Sequence, residues 1–160
     1  MAVIVSFICV AVLTAADQLI KYFVQANLPD AGQITVIKGF LSWDYAENTG
    51  AAFGSFSQST TLLSVITGVI ILAGLIAIAL KKIKGGYLLT VSVMIIAGGL
   101  GNLIDRVSKG YVVDFIKVLF VDFPIFNFAD ILVTCGSFML VGYLIWDIYR
   151  DYKNKKSKEQ

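Results

Sequence analysis

Residues 59–80 read STTLLSVITGVIILAGLIAIAL, 22 residues without a charge. A helix rises about 1.5 Å per residue, so this stretch is long enough to cross a hydrocarbon core about 30 Å thick. Working outward, residues 85–105 form a second long apolar run, closed by Asp105 and Arg106. Residues 2–23 form another, interrupted only by Asp17 and Lys21, and residues 126–147 form the last. The reading is an all-α membrane protein with four transmembrane helices. The run at 2–23 has no Lys or Arg ahead of its apolar stretch, which argues against a cleaved signal peptide and for a retained helix.

Composition agrees. Hydrophobic residues make up 58% of the 160, charged residues 15%, and the mean hydropathy is +0.81. A soluble domain of this size has no interior large enough for that much apolar surface. The net charge is only +2 and the basic residues form no stripe, so nucleic acid is not an expected partner. Cys9 and Cys135 lie inside apolar runs without metal-ligand spacing and read as small buried hydrophobes.

Positive charge sets the expected orientation. Lys81, Lys82 and Lys84 lie between the second and third spans, and Arg150, Lys153, Lys155, Lys156 and Lys158 follow the fourth. With four spans both clusters fall on one side, the cytoplasmic one, with both termini. Tyr22, Tyr87, Tyr143, Trp146 and Tyr149 fall near span ends as interfacial aromatics. The polar run 150–160 reads as a solvated, frayed tail.

Segments 24–58 and 105–125 then lie outside. In the first, Ile34 and Val36 share a face; beyond Lys38 and Gly39, so do Leu41, Trp43 and Tyr45, opposite Ser42 and Asp44. That alternation predicts a small extracytoplasmic β-sheet on the membrane surface, followed by a turn at residues 48–50. In the second, residues 111–120 are apolar except for Asp114 and Lys117, and read equally as a strand or an interfacial helix. Small residues four apart, such as Ala97 and Gly101, permit close helix contact.

The chain has no histidine, so carboxylates are the candidates for chemistry. An acid in an apolar span is costly and is kept for a task. Asp17 and Lys21, four apart, read as a structural ion pair. Asp105 and Arg106 read as a brace, with substrate contact by Arg106 as the alternative. Asp114 is either a loop aspartate at the water interface or a buried carboxyl with a raised pKa. With Asn127 as helix cap, Asp130 falls at the third position, where it accepts from the cap's backbone N–H; that leaves catalysis open. Two aspartates that share a proton hydrolyse amides: one takes a proton from water, the other donates to the oxyanion or leaving amine. A proton relay with acids spread through the membrane and a non-enzymatic scaffold are the rival classes.

Five motifs occur in order: Asp17 and Gln18 with Lys21; Asn48, Thr49, Gly50, Ala51, Ala52, Phe53 and Gly54; Gly101, Asn102, Leu103, Ile104, Asp105 and Arg106; Val112, Val113, Asp114 and Phe115; and Phe126 and Asn127 with Ala129 and Asp130. Together they resemble bacterial lipoprotein signal peptidase, or signal peptidase II, over nearly the whole chain. The resemblance implies a single peptidase domain over 1–160 and an aspartic endopeptidase of the bacterial inner membrane that acts near the extracytoplasmic face. Such an enzyme cuts prolipoproteins before a diacylglyceryl-modified cysteine. It implies Asp114 and Asp130 as the catalytic pair, with Asn48, Gly50, Asn102, Arg106 and Asn127 as active-site support and Asp17 with Lys21 as a structural pair. Segment 33–58 matches a substrate-cradling sheet, and Gly39, Gly50 and Gly54 would permit it to move. No cofactor or metal is implied; the expected partners are lipid-modified precursors and membrane phospholipid, and the expected state is a monomer. Phe128 is bulkier than the family's aliphatic residue, and Glu47 stands where other members carry a basic residue. Both bear on substrate fit.

Overall fold

The structure, a computed structural model, describes residues 1–50 and 60–156. Its elements run α1 (Ala2–Ala31), β1 (Ile34–Ile37), β2 (Leu41–Asn48), α2 (Thr60–Ala79), α3 (Gly86–Lys109), β3 (Val112–Val118) and α4 (Phe128–Lys156). All four helices are long and apolar enough to cross a membrane. The Ala51–Gly54 part of the second motif, the expected lead into the second span and the hinge glycine Gly54 lie outside the described residues.

α3 is the central helix, packed against α1, α2 and α4. Its glycines explain the closeness. A methyl group at Gly101 would stand 2.9 Å from Asp17 Cγ and 3.3 Å from Ala129 Cβ, so no side chain fits there. Outward faces are apolar and exposed, as at Val69, Leu72 and Phe138, whereas Asp17, Lys21, Asp105 and Asn127 are fully buried. In a bilayer the lipid takes the apolar faces and the protein interior takes the polar groups. The same logic corrects the reading of the cysteines: Cys9 and Cys135 are exposed on α1 and α4, because apolar character does not imply burial when the solvent is lipid.

α1 runs eight residues beyond the expected end at 23. Its buried residues Val10, Asp17, Lys21, Val24 and Leu28 recur at helical spacing on one stripe. At about 1.5 Å per residue this helix outreaches the hydrocarbon core. Its far end carries Val24 and Leu28 onto Val113 and Phe115 of the sheet. α4 likewise continues to Lys156 rather than fraying at 150.

The sheet has the order β1-β2-β3, antiparallel throughout. β3 settles the open choice for 111–120 in favour of a strand. Gly110, with φ 84°, closes α3 in the left-handed conformation and lets the chain enter β3. A register shift between Trp43 and Ala46 lies within β2. Ser42 is buried there and accepts from Gln33 Nε2 at 3.0 Å, while Trp43 is exposed. Phe126 pairs with Ile116, donating to its carbonyl at 3.1 Å, and this ties the start of α4 to β3.

Candidate active site

Three elements converge where the sheet meets the bundle. β3 supplies Asp114, α4 supplies Asp130 in its first turn, and α3 supplies Asn102 and Arg106. The β2–β3 register sets Ala46 opposite Asp114 and Asn48 opposite Val112, so Asn48 shares the face of Asp114.

The cap at α4 forms as its residues predict. Asn127 Oδ1 accepts from the Asp130 N–H at 2.9 Å, and Asp130 Oδ2 accepts from the Asn127 N–H at 3.1 Å. This reciprocal box satisfies two backbone donors that a helix start would otherwise leave free. The cap also does more: Asn127 Nδ2 donates to Asp114 Oδ1 at 2.6 Å and to Asn102 Oδ1 at 3.1 Å. Asn48 Nδ2 donates to Asp114 Oδ2 at 3.0 Å, and Asn102 Nδ2 to Asp130 Oδ1 at 2.7 Å. Each of the four carboxyl oxygens thus accepts one hydrogen bond. A carboxylate oxygen has two lone pairs, so each keeps one for water or a proton. Gly50 belongs to the same corner; its N–H donates to Asn48 Oδ1 at 2.9 Å and turns the Asn48 amide toward Asp114.

Asp114 is buried, and its pKa is pushed up to about 6. Burial is the larger cause and the nearby Asp130 charge the next; the donors Asn48 and Asn127 pull the other way. The alternative of a loop aspartate in water does not hold.

Behind the pair lies a buried ionic cluster. Lys21 Nζ contacts Asp17 Oδ2 at 2.9 Å, Asp105 Oδ2 at 3.0 Å and Asn102 Oδ1 at 2.9 Å. An ammonium has three protons, so this one is fully used. Asp17 also accepts from the Ala129 N–H at 3.0 Å and thereby ties α1 to the start of α4. Asp105 accepts from Lys109 at 2.9 Å and from the Val113 N–H at 3.2 Å. The expected Asp105–Arg106 brace is therefore corrected: the ion-pair partners of Asp105 are Lys21 and Lys109. Successive residues on a helix point about 100° apart, whereas Lys109, four on, shares the face of Asp105. That spacing would have revealed Lys109, which the sequence reading missed. No sequence signal joins Lys21 to Asn102, 81 positions away.

Arg106 faces the other way. Its guanidinium is attracted to Asp130, Asp114 and Asp105, and among the described residues its buried Nε has no hydrogen-bond partner. It stands at the polar end of a cavity of about 260 Å³ with Asn102 and Asp130; Ile70, Ile71, Ile95, Ile96 and Val133 form the apolar walls.

Fold and site together define a multi-pass membrane protein with two aspartates held side by side in a buried polar network. The family model described as signal peptidase (SPase) II matches residues 9–146. A lipoprotein signal peptidase of Clostridium tetani is 41% identical over 141 residues, covering 86% of this chain and 90% of that protein. One of Streptococcus thermophilus is 36% identical over 139 residues, covering 87% and 90%. A bacterial membrane enzyme solved by the in meso method superposes with a TM-score of 0.83 at 32% identity, over 90% of this chain and 89% of that one. The chain belongs to the signal peptidase II family, and it is a membrane-embedded protease.

Proposed function

We propose that this protease is an aspartic endopeptidase in which Asp114 and Asp130 activate water. It removes the signal peptide from prolipoproteins, cutting before a diacylglyceryl-modified cysteine. The single observation that carries the mechanism is the pair itself: two carboxyl groups from β3 and α4, bridged through Asn127 and Asn102, one of them titrating near 6. One carboxylate accepts a proton from water while the water oxygen attacks the amide carbon. The protonated partner donates toward the oxyanion and then the leaving amine. The C–N bond breaks, leaving a new carboxyl terminus on the signal peptide and a free amine on the cysteine.

Other features support the reading. Arg106 Nε, without a partner among the described residues, is a donor available to a substrate carbonyl beside the pair. The apolar cavity walls suit the hydrophobic part of the signal peptide, and the lipid chains remain in the bilayer. Basic clusters at 81–84 and 150–158 support an orientation with both termini in the cytoplasm and the sheet with the carboxylate pair on the far side of the inner membrane. The whole chain acts as one domain and as a monomer.

The test is cleavage of a diacylglyceryl-modified prolipoprotein by purified protein in detergent, comparing wild type with Asp114→Asn and Asp130→Asn. Cleavage before the lipidated cysteine by wild type alone supports the reading. Normal cleavage by either folded variant rules out the two-aspartate mechanism.

A further inference from the structure

The carboxylate pair is served by side-chain amides, and an amide can face either way. Its oxygen accepts and its nitrogen donates, so a half-turn converts a donor to a carboxylate into a repelling acceptor. Something must choose. For Asn127 the choice is local: the Asp130 backbone N–H can only donate, so Asn127 Oδ1 faces it at 2.9 Å. For Asn102, among the described residues, side chains rather than a backbone group meet the amide oxygen. Two donors meet its oxygen, the neutral Asn127 Nδ2 at 3.1 Å and the charged, fully buried Lys21 ammonium at 2.9 Å.

An ammonium has no acceptor. It forces Asn102 Oδ1 toward itself and so turns Asn102 Nδ2 onto Asp130 Oδ1 at 2.7 Å. The same Asn102 oxygen receives Asn127 Nδ2, whose other proton goes to Asp114 Oδ1. Asn102 Oδ1 thus receives two donors, Lys21 Nζ and Asn127 Nδ2, while Asn102 Nδ2 donates to Asp130 Oδ1. Asp17 and Asp105 occupy the other two lysine protons and hold the ammonium in place.

We infer that Lys21 is a positioning residue of the reaction: it sets the amide of Asn102 so that Asp130 receives its N–H donor. The inference rests on the two-aspartate reading above and extends it to a residue buried behind the pair. A charge neutralising Asp17 would need only one contact; the third contact, to an amide that itself touches Asp130, is what an ion pair alone does not require. Without Lys21 the Asn102 oxygen keeps only the neutral Asn127 Nδ2 donor at 3.1 Å, and the amide is held less firmly against turning its oxygen toward Asp130. That orientation suits only a protonated Asp130 and withdraws a donor from the ionised pair.

The charged groups around this chain are Asp17 on α1, Asp105, Arg106 and Lys109 on α3, Asp114 on β3 and Asp130 on α4. Removing Lys21 alone strands Asp17, whereas Asp105 keeps Lys109, so the test uses Asp17→Asn as the common background. On it, Lys21→Met removes the donor and Lys21→Gln keeps an amide N–H. Both are compared with Asp17→Asn for kcat and KM on a lipid-modified precursor, and for the titration of the protonated-carboxyl infrared band. With folding verified by thermal unfolding in detergent, the methionine variant is expected to lose kcat by about 10- to 100-fold, the worth of one charge-assisted hydrogen bond. Its KM stays within about two-fold, the pattern of a lost transition-state interaction. The Asp114 carboxyl band titrates at higher pH, because the Lys21 charge that lowers its pKa has gone. The glutamine variant, which restores the donor but not the charge, recovers part of the kcat loss and leaves the titration shifted. If the methionine variant does not fold, the glutamine variant decides: a kcat and a carboxyl titration unchanged from Asp17→Asn reject the inference. A folded methionine variant with unchanged kcat and titration rejects it too, as does equal loss of kcat in the methionine and glutamine variants. Asp114→Asn is run alongside: if it cleaves normally, the two-aspartate reading has failed, and with it the basis of this inference.

Discussion

Asp114 is the residue whose environment departs furthest from its sequence. Val113 and Phe115 on either side are buried, and Asn48 and Asn127 cover its oxygens. Its proton is held to about pH 6 by burial first and Asp130 second. A protonated-carboxyl infrared band titrating near that pH is therefore expected in wild type and absent in Asp114→Asn. In Asp130→Asn the band should titrate lower, because a neighbouring negative charge has been removed; an unchanged midpoint would mean the two groups do not interact. The sign for stability follows. The folded state favours the proton, so this group's contribution is complete below its ordinary value of 3.8 and is lost as pH rises through about 6. Asn48→Ala removes one donor to Asp114 and leaves the cap of α4 intact. It should reduce kcat by about 10-fold or more, the cost of one hydrogen bond to a charged group, with unfolding temperature little changed.

At the scale of elements, the close approach of α3 to its neighbours depends on glycine. Gly101→Ala drives a methyl group into Asp17 and Ala129 and should cost about 1–3 kcal/mol, read as a lower unfolding temperature in detergent. Gly142→Ala meets nothing within 4 Å and serves as the neutral comparison. Asn127 joins element to site. Asn127→Ala removes a helix cap worth about 1 kcal/mol and also the bridge from Asp114 to Asn102. Activity should fall by far more than that stability loss predicts, in contrast to a cap that only starts a helix. The pairing of Phe126 with Ile116 explains why the strand and the helix arrive together: three backbone hydrogen bonds hold residues 115–116 against 126, so Asp114 and Asn127 sit on adjoining ends of one bridge.

Across the whole molecule, one topological expectation is open to direct measurement. With Cys9 and Cys135 replaced by alanine, Lys38→Cys in the β1–β2 turn and Lys82→Cys between α2 and α3 should react with a membrane-impermeant thiol reagent from opposite sides. Labelling of both from one side would overturn the proposed orientation of sheet and termini. The number of spans, the alternation that announces β1 and β2, and the box of Asn127 with Asp130 are all legible in the sequence, because each depends on residues within a turn or two of one another. The type of β3 is not, since a short apolar run suits strand and helix equally until β2 supplies its ladder. Nor are the outward-facing cysteines, because hydrophobicity alone does not say whether an apolar side chain meets lipid or protein. The sequence by itself determined a four-span membrane protein and singled out Asp17, Asp105, Asp114 and Asp130 as carboxylates in or beside apolar runs, since charge in an apolar run is costly wherever the chain goes. Only the tertiary structure decided which carboxylates meet, that Asp105 belongs to lysines and not to Arg106, and that Lys21 reaches Asn102. Those contacts join groups on different elements, and their geometry exists only once helix packing and strand register bring the elements together.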